Sequence, residues 1–187
     1  LGAVVAAALL ACAGTVAADT ARAAPAPPSH ACAGANLHPS AANIRAVDAA
    51  TLCVVNRLRS AYGLHPLRAN RALSHVAASQ VTSMVRRDYF ADVGPSGQTP
   101  LSLVAVTAYA LHAAEFAVGE NIAWGTGSYT TPAHIVAEWM NSPPHREVML
   151  SAEYRNAGVA VTPAVPAVLY APGRGATYAI ELGVRRF

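Results

Sequence analysis

Apolar positions recur at helical spacing in two early stretches. In "AVDAATLCVVNRLRSAYGL" the residues Leu52, Val55, Leu58 and Tyr62 share one face, and Gly63 supplies a stop. In "NRALSHVAASQVTSMVRRDYF" the face is Leu73, Val76, Ala77, Gln80 and Met84, with Asn70 in position to cap. "ADVGPSGQTP" reads as a loop by its Gly and Pro content, after which Thr99-Pro100 opens a short apolar helix. "FAVGENIAWG" is too short for another good helix and has strand-like ends. Thr131-Pro132 opens a helix with Ile135, Val136 and Trp139 on a face; it ends at Asn141-Ser142-Pro143-Pro144, where Ser142 is placed to cap a further short helix carrying His145. "NAGVAVTPAV" and "ATYAIELGVRR" read as two strands joined by a Pro- and Gly-containing loop. Helices, one strand, a helix pair and then two strands, without an internal repeat, predict an α+β fold with a small, mostly antiparallel sheet.

The N-terminal end has a different character. Residues 1–18 are uncharged and apolar, and "DTARAAPAPPSH" follows. This predicts three segments: a signal peptide over 1–23, a Pro- and Ala-rich arm over 24–45, and one domain over 46–187. "LLAC" also offers Cys12 as a lipidation site, the alternative to simple cleavage. Export leaves Cys32 and Cys53 as an even pair, hence one disulfide tying the arm to the first helix. The formal charge is +3 and arginine supplies all of the basic side chains. These are scattered, so no nucleic-acid patch is expected. The expected state is a secreted or envelope protein, monomeric, with no stable membrane span after signal cleavage.

Candidate chemistry concentrates between Gly119 and Arg146. Glu120 stands in an apolar strand end, where a carboxylate must be solvated, paired or hydrogen-bonded. Asn121 offers it a side-chain donor, and His145, at a helix start, is a plausible charge partner and the second candidate acid–base residue. The motifs HExxH, GxSxG, paired CxxC and the phosphate loop are absent from the sequence, so nucleophilic catalysis has no local support.

Five blocks in register resemble the CAP superfamily, or SCP domains, in its bacterial secreted branch. They are "VVNRLRSAYGLHPLRANRALSHVAASQVTSM", "YFADVGPSGQTP", "GENIAWG", "EWMNSPPHR", and "GVAV" with "YAIELG". The resemblance spans about Cys53 to Phe187 and implies an α–β–α sandwich with a cleft where the "GEN" Glu120 and the "HR" His145 converge. Many members carry two His and one or two Glu there and bind a divalent metal. This chain has Asp92 where the first His is usual, Ser142 where many animal members have a second Glu, and Glu181 where Gln often stands. The resemblance therefore implies a ligand-binding cleft of Asp92, Glu120, Asn121, Ser142, His145 and Glu181. Asp92, Glu120 and His145 are candidate ligands for a divalent metal such as zinc, calcium or magnesium, with oxygen donors favouring harder cations. Carboxylates gathered in this way would hold one another's protons more tightly. The function implied is non-catalytic binding of a lipid, peptide or cell-wall ligand. The alternative is a metal-assisted, peptidase-like hydrolase with Glu120 as general base and His145 as metal ligand or acid.

Overall fold

The computed structural model describes residues 32–171 and 173–187. The predicted signal segment and Cys12 lie outside the described residues. The element order is α1 (Ile44–Ala61), β1 (Arg68–Ala69), α2 (Arg71–Arg86), α3 (Pro100–Ala105), β2 (Glu115–Thr126), α4 (Pro132–Asn141), α5 (Pro143–Leu150), β3 (Asn156–Thr162) and β4 (Gly175–Arg186). One four-stranded sheet has the order β1-β3-β4-β2. The β2–β4 and β3–β4 pairs are antiparallel, and the two-residue β1 adds a parallel edge on β3. The α+β sandwich expected from the sequence is the fold observed. The stretch around "GENIAWG" is longer than its pattern suggested: β2 runs for 12 residues because every one of them has a partner in β4.

Side chains alternate across a strand, so the sheet has two distinct faces. On one face Val159, Val161, Tyr178, Ile180 and Leu182 pack with Val47 and Val55 of α1, Ile135, Val136 and Trp139 of α4, and Met149 of α5. On the other, Ile122, Ala160 and Ala179 pack under Ala77, Val81 and Met84 of α2. Leu73 and Val76 extend that layer to Val104 and Tyr109. The approach of α2 is close enough that a Cβ on Gly158 would lie 2.0 Å from the Ser74 nitrogen, so β3 needs glycine there.

The capping signals act where the sequence placed them. The Asn70 side chain accepts from the Ala72 and Leu73 amides at 3.0 and 3.2 Å, and Thr99 and Ser102 form a reciprocal capping box. Ser142 differs: it is the hinge between α4 and α5, its backbone serves both helices, and its hydroxyl makes no cap bond.

Two constraints hold the layers. Cys32 and Cys53 are bonded, with Cα atoms 5.8 Å apart, as the even pair predicted. The arm beyond Cys32 is docked: the Ala133 amide donates to the Ala35 carbonyl at 2.9 Å, and His38 Nδ1 meets Thr130 Oγ1 at 2.8 Å. The second constraint escaped the sequence pattern. Arg59 is fully buried, and its guanidinium donates to the carbonyls of His65, Met149, Ser151 and Tyr154 at 3.1, 2.6, 2.9 and 3.5 Å. A positive charge thus closes the carbonyl end of α5 and fixes the chain entering β3.

Replacing Cys53 with Ser should lower unfolding free energy by about 3 kcal/mol, from the chain-entropy cost of a loop of this length, and leave the fold intact. Arg59→Met should destabilise by about 3 kcal/mol or more, since several buried carbonyls lose their donor at once. Arg59→Lys should recover only part of that loss. Urea unfolding of the three variants checks these values.

Candidate functional site

The register of β2 on β4 decides which residues meet. Glu120 lies directly opposite Glu181, and Glu181 lies opposite Gly158 of β3. Glu120 shares its face with Ile122, and Glu181 with Ala179, so both carboxyls point toward α2. Glu181 is fully buried, and among the described residues no hydrogen-bond partner reaches any of the four enclosed carboxylate oxygens of the pair. The two carboxyls are within hydrogen-bonding reach of each other, but two ionised groups bring no proton to share. Burial pushes both well above the ordinary glutamate value. For Glu120 the charge of Glu181, its side-chain hydrogen bond and the charge of Asp92 raise it further. For Glu181 the bond from Glu120 lowers and the charge of Asp92 raises. The pair is therefore built to retain a proton that two exposed glutamates would lose at neutral pH.

The loop after α2 closes over this pair. Tyr89 and Phe90 pack against the Ile122 cluster, and Asp92 follows them, itself exposed but near enough to act on both glutamates. Gln80 is the tie: buried on α2, its Nε2 donates to the Asp92 carbonyl at 3.1 Å and the Ala91 carbonyl at 3.4 Å. Gln80 counted as an ordinary helix-face residue in the sequence; a polar side chain on an otherwise apolar stripe was the signal available.

Asn121 and His145 lie on the other side. Asn121 points to the α1/α4/α5 face, where its Nδ2 donates to the His145 carbonyl at 2.8 Å. Trp139 Nε1 donates to the Ile122 carbonyl at 3.0 Å, so α4 is fastened to the same strand. Among the described residues no hydrogen bond or ion pair joins the Glu120 carboxylate to the His145 ring. The expected pairing of these side chains is thus replaced by a backbone link one residue along: Asn121 reaches α5, and alternation sends Glu120 away from it. Ser142, at the α4–α5 junction, stays with His145 rather than with the carboxyl pair.

The ligand set that the resemblance implied, Asp92, Glu120 and His145, is not assembled around one point. Among the described residues no three His, Cys, Asp or Glu side chains converge as a metal site requires. The closely placed groups are carboxyls alone, and no imidazole joins them. A half-buried acid stands apart from this site: Asp48 on α1 has a carboxyl pushed up to about 6, raised by burial and lowered by the Val161 backbone N–H.

The chain is similar to several known proteins. Residues 52–164 match the model of the cysteine-rich secretory protein family, CAP. The chain is 30% identical to YkwD of Bacillus subtilis strain 168 over 117 residues, which is 63% of this chain and 43% of that protein. It thus spans less than half the length of that relative. An extracellular protein of Bacillus anthracis containing an SCP domain superposes with a TM-score of 0.57 at 20% identity, over 78% of this chain and 41% of that one. An outer surface protein of Borrelia burgdorferi gives 0.57 at 18%, over 72% and 90%. A cysteine-rich secretory protein of Staphylococcus aureus gives 0.54 at 18%, over 76% and 40%.

The carboxyl pair has a testable linkage. Its folded-state values are raised above 4.5, so above that pH the unfolded chain gives up protons that the folded chain keeps, and stability falls as pH rises. Glu181→Gln removes one acid and supplies an amide donor to Glu120. The variant should match the wild type near pH 4 and exceed it by about 1–3 kcal/mol at pH 8. Asp48 titrates in both proteins, so the difference between their urea-unfolding curves isolates the pair.

Proposed function

This chain belongs to the cysteine-rich secretory protein (CAP) family, and on that premise we propose that it works outside the cytoplasm as a non-catalytic binding protein. The setting is supported by the solved neighbours, two of which are described as extracellular or outer surface proteins. Among the described residues no helix is long and apolar enough to cross a membrane.

The observation that carries the reading is the Glu120–Glu181 pair. Among the described residues its oxygens receive no donor from outside the pair, and the neighbouring loop is tethered by the Gln80 side chain. A ligand that displaces the loop brings donors to carboxyls already stripped of water, and such a group can be an amide, hydroxyl or ammonium. Of the lipid, peptide and cell-wall classes, this chemistry favours the donor-rich headgroups and backbones over bare acyl chains. Metal-assisted hydrolysis asks Glu120 and His145 to act on one centre, whereas the Glu120 carboxyl faces α2 and His145 belongs to α5, which packs on the other face of the sheet. That placement favours binding over hydrolysis.

Co-sedimentation of the exported chain with purified peptidoglycan sacculi, and separately with phospholipid vesicles, tests the reading beside turnover of a fluorogenic peptide mixture. Retention on one carrier should drop at least about fivefold, roughly 1 kcal/mol, in the Glu120→Gln/Glu181→Gln double variant, with no peptide turnover in zinc, calcium or magnesium buffers. Turnover abolished by both Glu120→Gln and His145→Ala would contradict it and restore the hydrolase.

A further inference from the structure

The arm that the disulfide ties to α1 forms one wall of a second cleft, away from the carboxyl pair. This cleft has a volume of about 460 Å³. It is lined by His38 and Ser40 of the arm, by Gly127, Ser128 and Thr130 of the turn after β2, and by Arg174 at the start of β4. The volume is within the range of small-ligand sites. The lining includes no acid, and among the described residues Arg174 makes no ion pair. His38, Ser40, Ser128 and Arg174 are exposed, so their polar groups are open to a ligand.

The three elements meet on one side of the sheet. The β2–β4 ladder extends one pair beyond Thr126 and Gly175, because the Gly127 amide donates to the Arg174 carbonyl at 3.1 Å. By alternation Arg174 then shares the face of Ala176 and Tyr178, which pack with α1 and α4. On that face the Tyr178 hydroxyl donates to the Thr130 carbonyl at 2.6 Å. The arm reaches the same residue. The Thr130 hydroxyl donates to the Gly127 carbonyl at 2.9 Å, so its oxygen accepts from His38 Nδ1 at 2.8 Å. Behind His38, Asn43 Nδ2 donates to the His38 carbonyl at 2.9 Å, and the Ser40 amide donates to Asn43 Oδ1 at 2.8 Å. These bonds set the walls of the cleft without help from a ligand.

We propose that this cleft binds an organic phosphate monoester, with the phosphoryl group held by Arg174 and the Ser40 and Ser128 hydroxyls. A guanidinium meets a phosphate with two parallel N–H donors, and each hydroxyl adds one more. A carboxylate is satisfied in one plane by the arginine fork alone. Donors that come from the arm, the turn and β4 suit instead a tetrahedral group with three terminal oxygens. His38 complements a monoester in either protonation state. With its Nδ1 proton committed to Thr130, Nε2 accepts from a P–OH when the ring is neutral and donates to a phosphoryl oxygen when it is charged. Inorganic phosphate is much smaller than the cleft, which leaves room for the organic part of the ester.

The exported chain, labelled with nitrogen-15, is titrated at constant ionic strength with glycerol 3-phosphate, with inorganic phosphate and with acetate. Glycerol 3-phosphate should shift the amide signals of Gly127, Ser128 and Arg174 along one saturating curve in the millimolar range. It should bind at least about threefold more tightly than inorganic phosphate, and acetate should leave these signals in place. Affinity should fall at least about fivefold in Arg174→Gln and about twofold in Ser128→Ala, and Arg174→Lys should recover part of the loss. Both side chains are exposed, and unmoved core amide signals check that the variants keep the fold. Co-sedimentation with phosphatidylcholine vesicles containing phosphatidic acid separates two sources of the same group. Retention that Arg174→Gln loses puts the monoester on a lipid; binding of glycerol 3-phosphate without retention makes it a soluble ester. Three outcomes would overturn the proposal: no saturating shift at the three amides, an equal response to acetate, or unchanged affinity in Arg174→Gln.

Discussion

The pairing of β2 with β4 is the constraint on which the rest of the molecule depends. Glu115 lies opposite Arg186 at one end and Thr126 opposite Gly175 at the other, so one unbroken register fixes the facing of every side chain on the edge strand. With a period of two, Glu120 and Ile122 face α2 while Asn121 and Ala123 face α1, α4 and α5. A slip of one residue would bury the wrong set on each side and leave Gly119 facing α2 rather than Val148 and Tyr154. "GEN" thus splits between two layers: its glycine admits Tyr154, its glutamate enters the acid pair and its asparagine holds α5.

The elements outside the ladder secure it. Trp139 clamps α4 to β2 by an indole hydrogen bond, Asn121 clamps α5, and Arg59 binds the end of α5 to α1 and to the approach of β3. The disulfide and the docked arm hold α1 and the turn at Thr130. Because these fastenings surround the sheet, a pair of carboxyls can be kept in a state that would relax in a softer setting. Folding stability built elsewhere offsets the strain of enclosing acids without donors.

Much of this fold was legible in the sequence. Apolar spacing placed the main helices, Asn70, Thr99 and Thr131 marked starts that the structure uses as caps, and the pair of cysteines outside the export segment gave the disulfide. The resemblance of five blocks supplied the sandwich. What the sequence could not convey was facing. Glu120 and His145 stand in neighbouring motifs, but whether two side chains meet across a sheet depends on register, which a single chain does not state. Glu181 was singled out for departing from the usual Gln, yet its position opposite Glu120 needs the β2–β4 ladder. Arg59 sat within a helical pattern that gave no sign of burial, since its partners are carbonyls of residues far along the chain. Asp48 and Gln80 escaped for the same reason: each is polar on a helix whose apolar stripe was the stronger signal.

The proton retained by Glu120 and Glu181 on the α2 side of the sheet is the central consequence of the β2–β4 register. Carbon-13 NMR of the side-chain carboxyl carbons, followed from acid to alkaline pH, observes that proton most directly. Two coupled carboxyl signals should titrate in separate steps above the ordinary glutamate value of 4.5 and keep their midpoints in His145→Ala. Two independent titrations at the ordinary value, or midpoints that move with His145, would contradict it.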